Sequence, residues 1–199
     1  MIPPRDKAAL IVVDMQRGFL EQDSAMGRLG FDLDPLIAVI EPCRRLVVAA
    51  RAAGVPIVWT RYVYAEGHVD GGVMVELLPG LKTENALLAG SDEIEVEPAL
   101  GPLPEDHVVD KNRPSAFWGT DLDAWIKANG IENLIVCGIT TNCCVESTVR
   151  DASHRDIPTY VVSDAVAETS ASRHDHALLA MSMLFARLVT VADVETALA

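Results

Sequence analysis

Five short runs of β-branched and aliphatic residues, at 9–13, 55–60, 107–109, 134–139 and 159–162, constrain this chain more than any other feature. Most are apolar without interruption. A strand with one wet face alternates apolar and polar residues, whereas a strand buried on both faces does not, so these runs suit a parallel sheet covered on both sides. A sixth, weaker run lies at 188–191. Helical patterns separate the runs and have recognisable ends. Asp34-Pro35 opens one helix, Ala53-Gly54 closes it, and Pro42 is placed to kink it early. Thr120 to Asp123 and Ser172 to Asp175 have capping-box spacing, and Asn129-Gly130 reads as a helix stop.

Strand and helix thus alternate along the chain. With right-handed crossovers this gives an α/β fold, a three-layer α/β/α sandwich around a doubly wound, mainly parallel sheet of about six strands. In 199 residues the expectation is a single domain spanning 1–199. The connection at 62–82 carries Gly67, Gly71, Gly72 and Gly80 and reads as a partly irregular lid or interface segment.

Composition removes several function classes. A net charge of −13 argues against binding to a phosphate backbone, so nucleic acid is not an expected partner. There is no apolar run of membrane-spanning length. The first seven residues, MIPPRDK, lack a secretory pattern, so the expectation is a soluble, cytoplasmic protein with no membrane partner. The four cysteines, Cys43, Cys137, Cys143 and Cys144, have neither CxxC spacing nor the density of a disulfide scaffold.

Ligands of doubly wound sheets bind beyond the carboxyl ends of the strands. Three chemically capable residues fall there: Asp14 after the first run, Lys111 after the third and Cys144 just past the fourth. Cys144 sits where the turn after Gly138 enters a helix. Free N–H groups at a helix start lower a thiol pKa and can bind an oxyanion. Asp14 can accept the thiol proton, and Lys111 can hold developing negative charge. Each has a plainer alternative: Asp14 as a helix cap, Lys111 as a surface charge, Cys144 as a small buried apolar side chain.

Three segments, VVDMQRGF around Asp14, DKNRPSAF around Lys111 and GITTNCCVEST around Cys144, resemble the isochorismatase-like cysteine hydrolases. The resemblance spans roughly residues 8 to 194 and implies that family's Rossmann-like fold. It also implies an Asp14–Lys111–Cys144 triad, a cis peptide between Ile139 and Thr140, and an oxyanion hole from the backbone N–H groups of Thr140 and Cys144. Alignment of Gly138-Ile139 and Val145 makes Cys144 the nucleophile and Cys143 its neighbour. Cys43 and Cys137 read as packing residues.

Nicotinamidases of this family carry a metal-binding Asp-x-His cluster after the second strand. The segment from Thr60 to His68 has none, so neither a metal nor another cofactor is expected. Vinyl-ether-cleaving isochorismatases lack the nucleophilic cysteine, so Cys144 favours attack on the carbonyl of a small amide. The segments around Trp118 and Cys144 are most similar to the ureidoacrylate and N-carbamoylsarcosine amidohydrolase branches. The competing readings are a vinyl-ether or ring-opening hydrolase and, outside catalysis, a binding module. The latter lacks GxGxxG after the first strand.

Candidate substrate contacts are Phe19 and Trp118 as pocket walls, with core packing the equal alternative, and Arg61 as partner of a substrate carboxylate, with a surface ion pair competing. Asn142 reads first as a helix cap and second as a donor to substrate. His174 and His176 read as polar residues of a helix face. The resemblance implies a homodimer or homotetramer.

Overall fold

The computed structural model describes residues 5–199; the part of the N-terminal signal reading that falls on residues 1–4 lies outside the described residues. Among the described residues six strands form one all-parallel sheet in the order β3-β2-β1-β4-β5-β6. They are β1 (Ala8–Val13), β2 (Ile57–Tyr62), β3 (His107–Lys111), β4 (Asn133–Ile139), β5 (Thr159–Ala167) and β6 (Arg187–Val189). Every residue of β1, and all but the first of β4, is buried. Successive side chains of a strand point to opposite faces, so burial of both sets requires helices on both sides of the sheet. The expected three-layer α/β architecture is the one observed.

The helix Ile40–Ala53 shows how one outer layer forms. Cys43, Leu46, Val47 and Ala50 are buried at helical spacing, and Gly54 ends the helix in the left-handed conformation at φ 70°. The kink expected from Pro42 is instead a break at Val39, between a short helix Asp34–Ala38 and the long one. Pro42 then lies in the first turn of the long helix, where its missing N–H has little consequence.

Strand limits differ from the sequence reading for identifiable reasons. β2 starts after Pro56, which serves the sheet only as an acceptor, and continues through Arg61 and Tyr62 because both pair with β3. β5 runs past the polar Ser163-Asp164 interruption through a bulge between Val161 and Val166. Those two polar side chains bond the Val189 carbonyl and the Val191 N–H. Neither expected capping box forms. Asp121 precedes the helix Leu122–Ala128 without a side-chain cap, and the helix Ala171–Leu184 begins before Ser172. The box that does form is Thr190–Asp193, at the start of Val191–Leu198, which is why β6 stops at Val189. Asn129-Gly130 ends its helix as expected.

Strand order reverses between β1 and β4, and a crevice opens at their carboxyl ends. Gly138 makes the close approach there possible. It has φ 108°, and a Cβ on it would lie 2.2 Å from the Val13 carbonyl oxygen. Gly138→Ala is expected to destabilise by more than Gly130→Ala, which adds only the left-handed strain of about 1–2 kcal/mol with no neighbour within 4 Å. Urea unfolding of the two variants measures the order, and equal losses would show that the β1–β4 contact is not tight.

Candidate active site

The polypeptide leaves β1 at Asp14, a non-glycine residue with φ 49°, whose carboxylate is 1% exposed. Such burial requires partners on both oxygens. Thr60, on neighbouring β2, donates its hydroxyl to Oδ1 at 2.5 Å, and Lys111 Nζ donates to Oδ2 at 2.7 Å. Lys111 ends β3, the strand at the sheet edge, in register with Tyr62. Its ammonium reaches inward over the Tyr62 ring, 4.3 Å from the centroid, and also donates to the Arg113 carbonyl. Burial works to lower the Lys111 pKa, but the charge of the Asp14 carboxylate and the hydrogen bond to it act against burial, and the net direction is upward.

Cys144 lies in a π-helical turn, Thr141–Val145, that joins β4 to the helix Glu146–Ser153. The Ile139–Thr140 peptide before the turn is cis. The turn faces Lys111 and Asp14, both of which act electrostatically on the Cys144 thiol. The expectation of a lowered Cys144 pKa is corrected. The neighbouring Cys143 thiol and burial push it up, Asp14 adds to the rise, and Lys111 opposes it. The setting of Cys144 thus favours the thiol over the thiolate.

Asp14, Cys143, Cys144, Thr140 and Asn142 lie at the polar end of a cavity of about 230 Å³. Phe19 lines it and also packs against the core. Asn142 also lines it, whereas its reading as a helix cap is corrected: it lies inside the turn, whose N-terminal residue Thr140 makes no side-chain cap. Two other expected contacts are not brought to the cavity. Arg61 alternates with Tyr62 along β2 and so projects away, where it forms a two-pronged ion pair with Asp110 and a longer one with Glu95. Trp118 is 66% exposed on the surface, and its neighbour Phe117 is the buried ring, beneath the Arg155 guanidinium.

Several site residues escaped sequence reasoning. Thr60 looks like an ordinary strand residue until β1 and β2 are set side by side. Gln16 is fully buried and ties the carboxyl end of β2 to the following loops, accepting from the Tyr62 N–H and donating to the carbonyls of Tyr62 and Ile94. Glu168 and Arg173, from the end of β5 and the next helix, also line the cavity. His174 faces the π-helical turn and bonds Thr141 Oγ1 at 2.9 Å, while His176 bonds a backbone carbonyl of its own helix. Among the described residues no group of three or more His, Cys, Asp or Glu side chains is placed to hold a metal ion. His68 is buried against the Tyr64 ring and bonds the Ala86 carbonyl.

A carboxylate, an ammonium and a thiol from three different strands therefore converge at the switch point of the sheet. Comparison with known proteins finds that the isochorismatase domain model matches residues 8–193. The chain belongs to the isochorismatase family. It is 35% identical over 206 residues to ureidoacrylate amidohydrolase RutB of Methylorubrum extorquens, covering 97% of this chain and 83% of that one. Among solved structures, a cysteine hydrolase from Pseudomonas syringae superposes with a TM-score of 0.89 at 32% identity, covering 98% of this chain and 94% of that one. N-carbamoylsarcosine amidase from Thermoplasma acidophilum superposes with a TM-score of 0.75 at 26% identity, with coverage of 93% and 96%.

For this member of the family the buried ion pair sets a stability expectation. Lys111→Met leaves the Asp14 carboxylate buried without its counter-charge and should cost about 3–5 kcal/mol in urea unfolding. Adding Asp14→Asn should recover a large part of that loss. A Lys111→Met protein as stable as the parent would mean that Asp14 is not held as a carboxylate by this pair.

Proposed function

We propose that this chain is a cysteine-dependent amidohydrolase that cleaves a C–N bond in a small amide, ureido or carbamoyl compound through a thioester. The observation that carries the reading is the buried Asp14 carboxylate, fixed by Thr60 and Lys111 beside the Cys144 thiol at the polar end of the cavity. The names of its relatives, ureidoacrylate amidohydrolase and N-carbamoylsarcosine amidase, support the same reaction class.

Because Cys144 rests protonated, a base must act as the substrate is attacked. Asp14 takes the thiol proton, the sulfur bonds to the carbonyl carbon, and the carbonyl π electrons move to oxygen. The N–H groups of Thr140 and Cys144 receive that oxyanion, and the Lys111 ammonium offsets the negative charge as it passes from sulfur to oxygen. As the C–N bond breaks, protonated Asp14 returns its proton to the leaving nitrogen, and ammonia or an amine departs. A water then gives its proton to Asp14 and its oxygen to the thioester carbon, and Cys144 leaves as a thiol reprotonated by Asp14. Phe19 and Asn142, both on the cavity wall, orient the substrate.

Four unpaired cysteines accord with a reducing compartment, and we place the protein in the cytoplasm. A homodimer or homotetramer is supported by exposed Val69, Val73 and Leu77 on the glycine-rich connection and by exposed Leu179, Met183 and Leu184 on the helix Ala171–Leu184. Light scattering should give a multiple of the 21.4 kDa chain mass, and a mass of one chain would overturn the assembly.

The nucleophile is tested with Cys144→Ala and Cys143→Ala in parallel on a hydrolysed amide. Cys144→Ala should lower kcat by at least about a thousandfold, whereas Cys143→Ala should retain activity within about tenfold. Quenched turnover analysed by mass spectrometry should carry the acyl group on Cys144. Acylation of Cys143, or turnover surviving in Cys144→Ala, would overturn the assignment.

A further inference from the structure

Away from the thiol, the cavity wall consists almost wholly of carbon. Met26, Phe31 and Leu36 close it from the segment after β1, and Met74, Leu78 and Leu81 close it from the glycine-rich connection. Among the described residues Arg173 is the one cation lining the cavity, and it is already engaged. Its guanidinium donates to Glu168 Oε1 at 2.9 Å and to Thr169 Oγ1 at 2.7 Å. The Glu168 side chain is 4% exposed and lines the same cavity, whereas Arg173 is half exposed, so Glu168 offsets the guanidinium charge on the cavity side. Lys111 is matched in the same way by Asp14, and Arg61 is held outside by Asp110.

We propose that this site selects an uncharged amide bearing an apolar alkyl or aryl group, and that Glu168 excludes carboxylate-bearing amides by neutralising Arg173. The inference rests on the amidohydrolase reading and adds a substrate class to it. It also separates this chain from relatives named for ureidoacrylate and N-carbamoylsarcosine, both carboxylate compounds. A carboxylate entering this cavity would lose its hydration and meet carbon walls and already paired cations. A hydrocarbon entering it loses only its contact with water. Glu168 is thus a specificity-determining residue, and its effect passes through the charge of Arg173.

Binding to the Cys144→Ala protein, measured by calorimetry, tests this without depending on turnover. Hexanamide should bind at least tenfold more tightly than 6-amino-6-oxohexanoate, which has the same amide and chain with a terminal carboxylate. Affinity should also rise by about fourfold per methylene from propanamide to hexanamide, the value of burying one CH₂. Adding Glu168→Gln leaves the Arg173 charge free. It should strengthen 6-amino-6-oxohexanoate binding at least fivefold while changing hexanamide binding less than threefold. Equal or tighter binding of the carboxylate compound by the protein with Glu168 intact would overturn the proposal, whether or not the Gln variant folds.

Turnover by the wild-type protein separates the two readings. Hydrolysis of carboxylate-bearing amides in preference to neutral ones, abolished by Cys144→Ala, would retain the amidohydrolase and overturn the apolar selectivity. Tight binding of hexanamide without hydrolysis of any amide in the series would support the selectivity and remove the amidohydrolase reading.

Discussion

The Asp14–Lys111 ion pair is the interaction on which the rest of the site depends. Two unit charges with almost no exposure are tolerable only if their geometry and remaining hydrogen bonds are satisfied together. Thr60, the Tyr62 ring and the Arg113 carbonyl meet that demand, and each comes from β2 or from the loop after β3. The order β3-β2-β1-β4 is therefore a condition of the chemistry as well as of the fold. It carries an ammonium from the edge strand across β2 to the carboxylate at the end of β1, beside the thiol delivered by β4.

The same burial explains why Cys144 is a thiol at rest. A helix start favours a thiolate, but here the neighbouring thiol, the low-polarity surroundings and the Asp14 charge act together in the other direction. A resting thiol beside a fixed carboxylate suits a proton transfer coupled to carbonyl addition.

The cavity joins two unlike surfaces. Its polar end comes from strand ends and the π-helical turn, whose backbone is fixed by the sheet. Its apolar wall comes from short helices in the connections, such as Gly72–Leu77 and Gly80–Thr83. The connections between strands thus supply carbon surface, while the sheet and the turn after it supply the polar groups.

Continuous apolar runs, by themselves, determined a parallel sheet with helices on both sides, because only strands buried on two faces read that way. The positions of Asp14, Lys111 and Cys144 just past those runs were likewise legible, since carboxyl ends of strands share one rim. What tertiary structure decided was direction and pairing. Arg61 and Tyr62 are adjacent in sequence, yet strand alternation sends one to solvent and Asp110 and the other to the cavity. Trp118 is exposed while Phe117 beside it is buried for a similar reason: which of two neighbouring rings is buried depends on what packs above them. Thr60, Glu168 and Arg173 carry no local signal, because their roles arise from groups brought near only when β1 meets β2 and β5 reaches the cavity. Local periodicity places a backbone, whereas the charge balance of a site depends on contacts between distant segments that only the folded chain creates.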